Sequence, residues 1–124
     1  MTLNEIMKSL YFKKEAYFVD MFGKIKSNQT TLYSDRNNCS SRSHIEQWLL
    51  INDLLNVAHF LNKGWLPSWK NEKENKYTIV IDKGVPIVLK VNQPINFVCF
   101  FCEENAKKAI AIIGEKQILQ IFAA

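Results

Sequence analysis

Residues Tyr77–Val91 read YTIVI-DKG-VPIVLKV, and this stretch decides the fold class. YTIVI at 77–81 is rich in β-branched residues, Asp82-Lys83-Gly84 is a turn signal, and VPIVLKV at 85–91 is a second apolar run. Pro86 lacks a backbone donor near the start of that run, which suits an edge strand. Asn92-Gln93-Pro94 marks another turn, and NFVCFF at 96–101 reads as a third strand. Connections this short join antiparallel neighbours, so the spacing predicts a three-stranded antiparallel meander.

Helical patterns flank the meander. Downstream, the spacing predicts helices over about 103–113, ended by Gly114, and over 115–122. Upstream, Ser43 and Glu46 form a capping-box pattern, and IEQWLLINDLLNVAHFLNK runs unbroken to Gly64, the expected left-handed stop. Its apolar positions (Ile45, Trp48, Leu49, Ile51, Leu54, Leu55, Ala58, Leu61) cover more than one stripe, which predicts a central, widely buried helix. Thr2 and Glu5 form a second capping box. Leu3, Ile6, Met7 and Leu10, then Phe18, Met21, Phe22 and Ile25, recur at helical spacing and predict one long helix or two short ones over about 3–25. Between the N-terminal helices lies a polar loop at 26–43, with Leu32 and Tyr33 in its middle. The expectation is an α+β chain of 124 residues in a single domain: two N-terminal helices, a three-stranded antiparallel meander and two C-terminal helices.

Composition narrows the function classes. A chain 48% hydrophobic and 23% charged is not read as disordered. The net charge of +4 is carried by fourteen Lys and only two Arg, Arg36 and Arg42. Scarce arginine argues against base-specific readout, because its forked guanidinium makes those contacts. Lys, twelve Asn and thirteen Ile all have AT-rich codons, so genome composition accounts for much of this bias. The N-terminus shows no cleavable signal and no apolar run is long enough to span a bilayer. Three cysteines, an odd number, fit a reducing compartment. A cytoplasmic protein with no membrane partner is expected.

Chemistry-bearing motifs are few. Cys99-Phe-Phe-Cys102 sits at a strand-to-helix junction, where a redox pair would lie, but no βαβ unit precedes it. Cys39, His44 and His59 do not complete a zinc set with it. His44 and His59 stand fifteen residues apart on one predicted helix, about 22 Å along its axis, too far to share a metal. Glu103 and Glu104 suit a helix start better than a pair of catalytic acids. No catalytic site, cofactor or metal is expected, and function is expected to lie in binding.

The most distinctive segment is Asn62–Asn71, NKGWLPSWKN, in which Trp65 and Trp69 flank Pro67. The plain reading is an aromatic staple between helix and strand, with each indole N–H needing a partner. The succession "LNKGW", "LPSW", a run of Asn, Glu and Lys, and "KYTIVI" resembles a family of small phage and prophage proteins from the Bacteroidota with a Gly-Trp-x-Pro-x-Trp core. "FVCFFCEENAKKAIAIIG" is similar to that family's closing unit. The resemblance covers about 45–114, and Thr78 stands where the family has a second aromatic residue. It implies a non-catalytic anti-CRISPR inhibitor that docks on a host RNA-guided RNA nuclease of type VI-B or on its guide-RNA complex. The other reading is a small basic nucleic-acid-binding accessory protein of a phage or mobile element. Two candidate surfaces follow. One is the 26–43 loop and its approach, with Lys24, Lys26, Arg36 and Arg42 against a single acid, Asp35. The other is Trp69, Lys70, Lys73 and Lys76, partly offset by Glu72 and Glu74. The loop is favoured by its length and by holding both arginines.

Overall fold

The computed structural model describes residues 1–30, 37–95 and 97–122. Among these, the chain is α+β, with four helices and two separate two-stranded antiparallel sheets. In order they are α1 (Leu3–Tyr11), β1 (Lys14–Val19), β2 (Ile25–Thr30), α2 (Arg42–Leu61), β3 (Lys76–Asp82), β4 (Val85–Val91), α3 (Glu103–Ile113) and α4 (Glu115–Phe122). The fold has two compact units, Met1–Leu49 and Leu50–Ala124, with the division inside α2.

In the first unit, the expected capping box forms: the Thr2 hydroxyl accepts from the Glu5 amide, and Glu5 accepts from the Thr2 amide. The helix then stops at Tyr11, which corrects the expectation of helix to residue 25. Phe12 turns extended, Lys13 takes φ 55°, and KEAYFV becomes β1. β-Branched and aromatic residues lose little by extending, and a hairpin partner follows within reach. β2 pairs in register from Lys14↔Thr30 to Val19↔Ile25. The turn between them is built on Asp20, whose Oδ1 accepts from the amides of Phe22 and Lys24, each at 2.9 Å. Residues Phe18, Met21, Phe22 and Ile25 therefore owe their helix-like spacing to a strand, a turn tip and a second strand.

The polar loop is also revised. Lys26–Thr30 belongs to β2, residues 31–36 lie outside the described residues, and Arg42 and Ser43 already belong to α2. Between them, Cys39 exchanges two backbone hydrogen bonds with Tyr17, each 2.8 Å. The Asn37 side chain accepts from the Val19 amide and donates to its carbonyl. Among the described residues, Tyr11, Ala16 and Ile45 are the buried apolar residues of this unit.

The start of α2 differs from the sequence reading. The helix begins one residue before Ser43, so Ser43 lies inside it, and Glu46 pairs with Arg42 at 3.1 Å instead of closing a box. Its end follows expectation: the amides of Lys63 and Gly64 donate back to Phe60 and His59, with both residues at positive φ. The helix buries less than its apolar content suggests. Ile45, Leu54 and Ala58 are buried, while Trp48, Leu55 and Phe60 are exposed.

The second unit is centred on Leu54, Ala58, Ile79, Val98, Phe100, Ala106, Ala109, Ile118 and Ile121. β3 and β4 pair from Lys76↔Val91 to Asp82↔Val85. Lys83 (φ 50°) and Gly84 (φ 77°) form the two-residue turn, the left-handed pair that matches strand twist. Of the expected third strand, residue 96 lies outside the described residues, and 97–101 form no strand. Phe100 makes one bridge, to Tyr77 of β3 rather than to β4. Tyr77 spends its N–H and C=O on Phe100, so this segment lies on the β3 edge opposite β4. The Asn62 side chain covers its other edge: Asn62 donates to the Cys99 carbonyl (2.8 Å) and accepts from the Phe101 amide (3.4 Å). α3 and α4 match the sequence reading, with Gly114 between them at φ 101° and Glu103 and Glu104 paired to Lys107 and Lys108.

Candidate functional site

The second unit holds an open pocket of about 250 Å³. α2 supplies one wall through Leu55, Ala58, His59 and Asn62, which share a face at helical spacing. The 65–69 loop supplies Trp65, Leu66, Pro67 and Trp69, and the stretch before α3 supplies Ile95, Phe97, Val98 and Cys99. The lining is mainly apolar and aromatic, as in sites that seat a ligand or a partner's side chain.

The loop is held by two charged residues. Glu74 accepts from the Ser68 amide at 2.8 Å and from the Trp65 indole at 3.3 Å. These bonds, the Ser68 amide foremost, and the nearby Lys76 hold its carboxyl below the ordinary glutamate range. Lys76 is 3% exposed. Its ammonium donates to the carbonyls of Asn71 (2.9 Å) and Glu74 (3.1 Å), lies 3.6 Å from the Glu74 carboxylate and sits over the Trp69 ring at 5.3 Å. Trp65 packs against Phe101 with ring centroids 6.0 Å apart. The Trp65 indole is thus bonded and the Trp69 ring lies under the Lys76 ammonium, while Leu66 between them is 77% exposed at the pocket rim. The aromatic staple read from the sequence is present, and its indole partner is Glu74.

The sequence-derived site residues fall in two groups. Lys24 and Lys26 are exposed on the β1–β2 hairpin, Arg42 opens α2 in an ion pair with Glu46, and Arg36 lies outside the described residues. In the second unit, Trp69 forms a pocket wall and Lys70 and Lys73 are exposed. Lys76, unlike these two, is buried as the strut of the loop. Sequence reasoning passed over Leu66, Leu55 and Phe97. Only Leu66 carried a local signal, an apolar residue between two tryptophans in a proline turn.

Cys99 and Cys102 are both half-buried. Burial raises the Cys99 thiol above its ordinary pKa, which disfavours the nucleophilic thiolate. Cys102 occupies the N-cap of α3 without a side-chain capping bond. Among the described residues, no three His, Cys, Asp or Glu side chains gather as metal ligands, and no helix is long and apolar enough to cross a membrane. No protein-family model, curated protein or solved structure matches this chain.

Proposed function

We propose that the protein is a non-catalytic phage- or prophage-type binding protein, an anti-CRISPR inhibitor acting in the cytoplasm of a bacterial host. Its partner is a type VI-B RNA-guided RNA nuclease or that nuclease's guide-RNA complex. The partner class comes from the resemblance over residues 45–114. The observation that supports docking is the pocket of the second unit, whose aromatic rim is immobilised by Glu74 and Lys76 while Leu66 stands 77% exposed beside it. A rigid aromatic wall with an exposed apolar side chain matches the anchor points of protein interfaces, which bury a few side chains in preformed slots.

The test is inhibition of RNA cleavage by a purified type VI-B nuclease loaded with its guide. The wild-type protein is expected to inhibit, and Leu66→Asp to weaken inhibition by roughly tenfold or more, the cost of placing a charge at a desolvated anchor. Absence of inhibition by the wild-type protein rejects the nuclease as partner. Equal inhibition by Leu66→Asp rejects the pocket rim as the site. Binding of the free protein to RNA with a steep loss as salt rises would instead favour the nucleic-acid reading.

A further inference from the structure

The β1–β2 hairpin ends in two adjacent, exposed apolar side chains. Met21 is 89% exposed and Phe22 79%. The backbone carrying them is well ordered by its own bonds: Asp20 accepts from the amides of Phe22 and Lys24, its carbonyl accepts from Gly23, and its amide donates to the Lys24 carbonyl. The one acid of the turn therefore points its carboxylate inward, and the Lys24 amide is the chief reason its pKa is lowered. Lys24 and Lys26, two and four residues beyond Phe22, are exposed. The same unit leaves a second apolar surface open on α1, where Leu3 (52%), Ile6 (39%) and Leu10 (46%) are exposed and only Tyr11 is buried.

We propose that the Met21-Phe22 hairpin tip is a peripheral anchor for an anionic lipid surface, with the two side chains entering the headgroup–acyl boundary and Lys24 and Lys26 engaging the headgroups. The tip is convex, so it fits a soft apolar medium without a matching slot. Its charge is complementary to acidic headgroups, and lysine serves there as a point charge near the surface. Exposed aliphatic groups on α1 fit the same medium and offer nothing to a nucleic acid, which rewards aromatic stacking instead. Interfacial contact of this kind needs no membrane-spanning segment, so it departs from the expectation of no membrane partner without requiring a transmembrane helix. It is independent of the nuclease reading, because it uses different residues and a different unit.

The experiment is co-sedimentation of the full-length protein with vesicles of equimolar phosphatidylglycerol and phosphatidylcholine, and with phosphatidylcholine alone. The wild-type protein is expected to partition roughly tenfold or more strongly onto the anionic vesicles, from two lysines near the surface. Met21→Ser with Phe22→Ser should abolish sedimentation. Lys24→Gln with Lys26→Gln should bring the anionic vesicles close to the neutral ones. Circular dichroism and thermal melts of both variants should match wild type, because the altered side chains lie outside the core. No sedimentation of the wild-type protein overturns the proposal, and so does undiminished sedimentation of a folded tip variant.

Discussion

Two asparagines and one lysine carry much of the local order. Asn37 and Asn62 use their side-chain amides as substitutes for a strand's peptide group, each binding backbone groups of a neighbouring extended segment. Such bonds matter because a buried N–H or C=O without a partner is expensive. Lys76 does the reverse, placing a charge where only carbonyls, one carboxylate and an indole face can compensate it. Lys76→Met removes that strut, takes a donor from the Glu74 carbonyl and leaves the Asn71 carbonyl with only the Glu74 amide. It is expected to destabilise the protein by about 2–3 kcal/mol, measured by urea unfolding. An unchanged midpoint would show that the strut contributes nothing. The carboxyls of Asp20 and Glu74 supply a pH signature. Both are held below their ordinary values, chiefly by the amides of Lys24 and Ser68 respectively. Their contribution to stability is therefore complete above the ordinary carboxylate range, near pH 4, and is lost as pH falls through the lower folded values. The melting temperature should drop below about pH 4, and less steeply in the Asp20→Asn, Glu74→Gln double variant. Equal slopes would exclude these two groups as the source.

At the scale of elements, legibility followed the range of the forces involved. β4, α3 and α4 lie where the sequence places them, because turn glycines, a helix-start pair of acids and β-branched runs are local signals. The Asp82-Lys83-Gly84 turn was read from its residues, yet Lys83 occupies a left-handed position that lysine fills at a cost. Lys83→Asn should relieve this by roughly 0.5 kcal/mol and raise the melting temperature by about 2 °C. A lower melting temperature would mean that the Lys83 side chain contributes more than its backbone conformation costs. Residues 12–25 were misread because Phe18, Met21, Phe22 and Ile25 satisfy a helical period by coincidence. The contrary signals, the β-favouring Tyr17-Phe18-Val19 run and the Asp20–Gly23 turn, are also local. The α2 start was misread for a similar reason, since Glu46 had a choice between capping and pairing with Arg42, and the side-chain pair prevailed.

For the molecule as a whole, the sequence by itself determined an α+β chain, the start of α1, the run of α2 to its Gly64 stop, α3 and α4, the β3–β4 hairpin with Pro86 on an edge strand, and the aromatic staple at Trp65. Each of these follows from neighbours in the chain: capping, turn chemistry, periodicity and a missing donor. Only the tertiary structure decided the rest. It divided the chain into two compact units, placed Phe100 against β3 rather than β4, and gave its free edge to Asn62, 37 residues from the Cys99 carbonyl to which it donates. It buried Lys76 while leaving Leu66 outside, the opposite of what polarity alone predicts. It also left Met21 and Phe22 exposed on a turn held by Asp20. The physical reason is the same in every case. A buried polar group takes whichever partner the fold brings near, and the identity of that partner is set by chain reversals far away in sequence, not by the residues beside it.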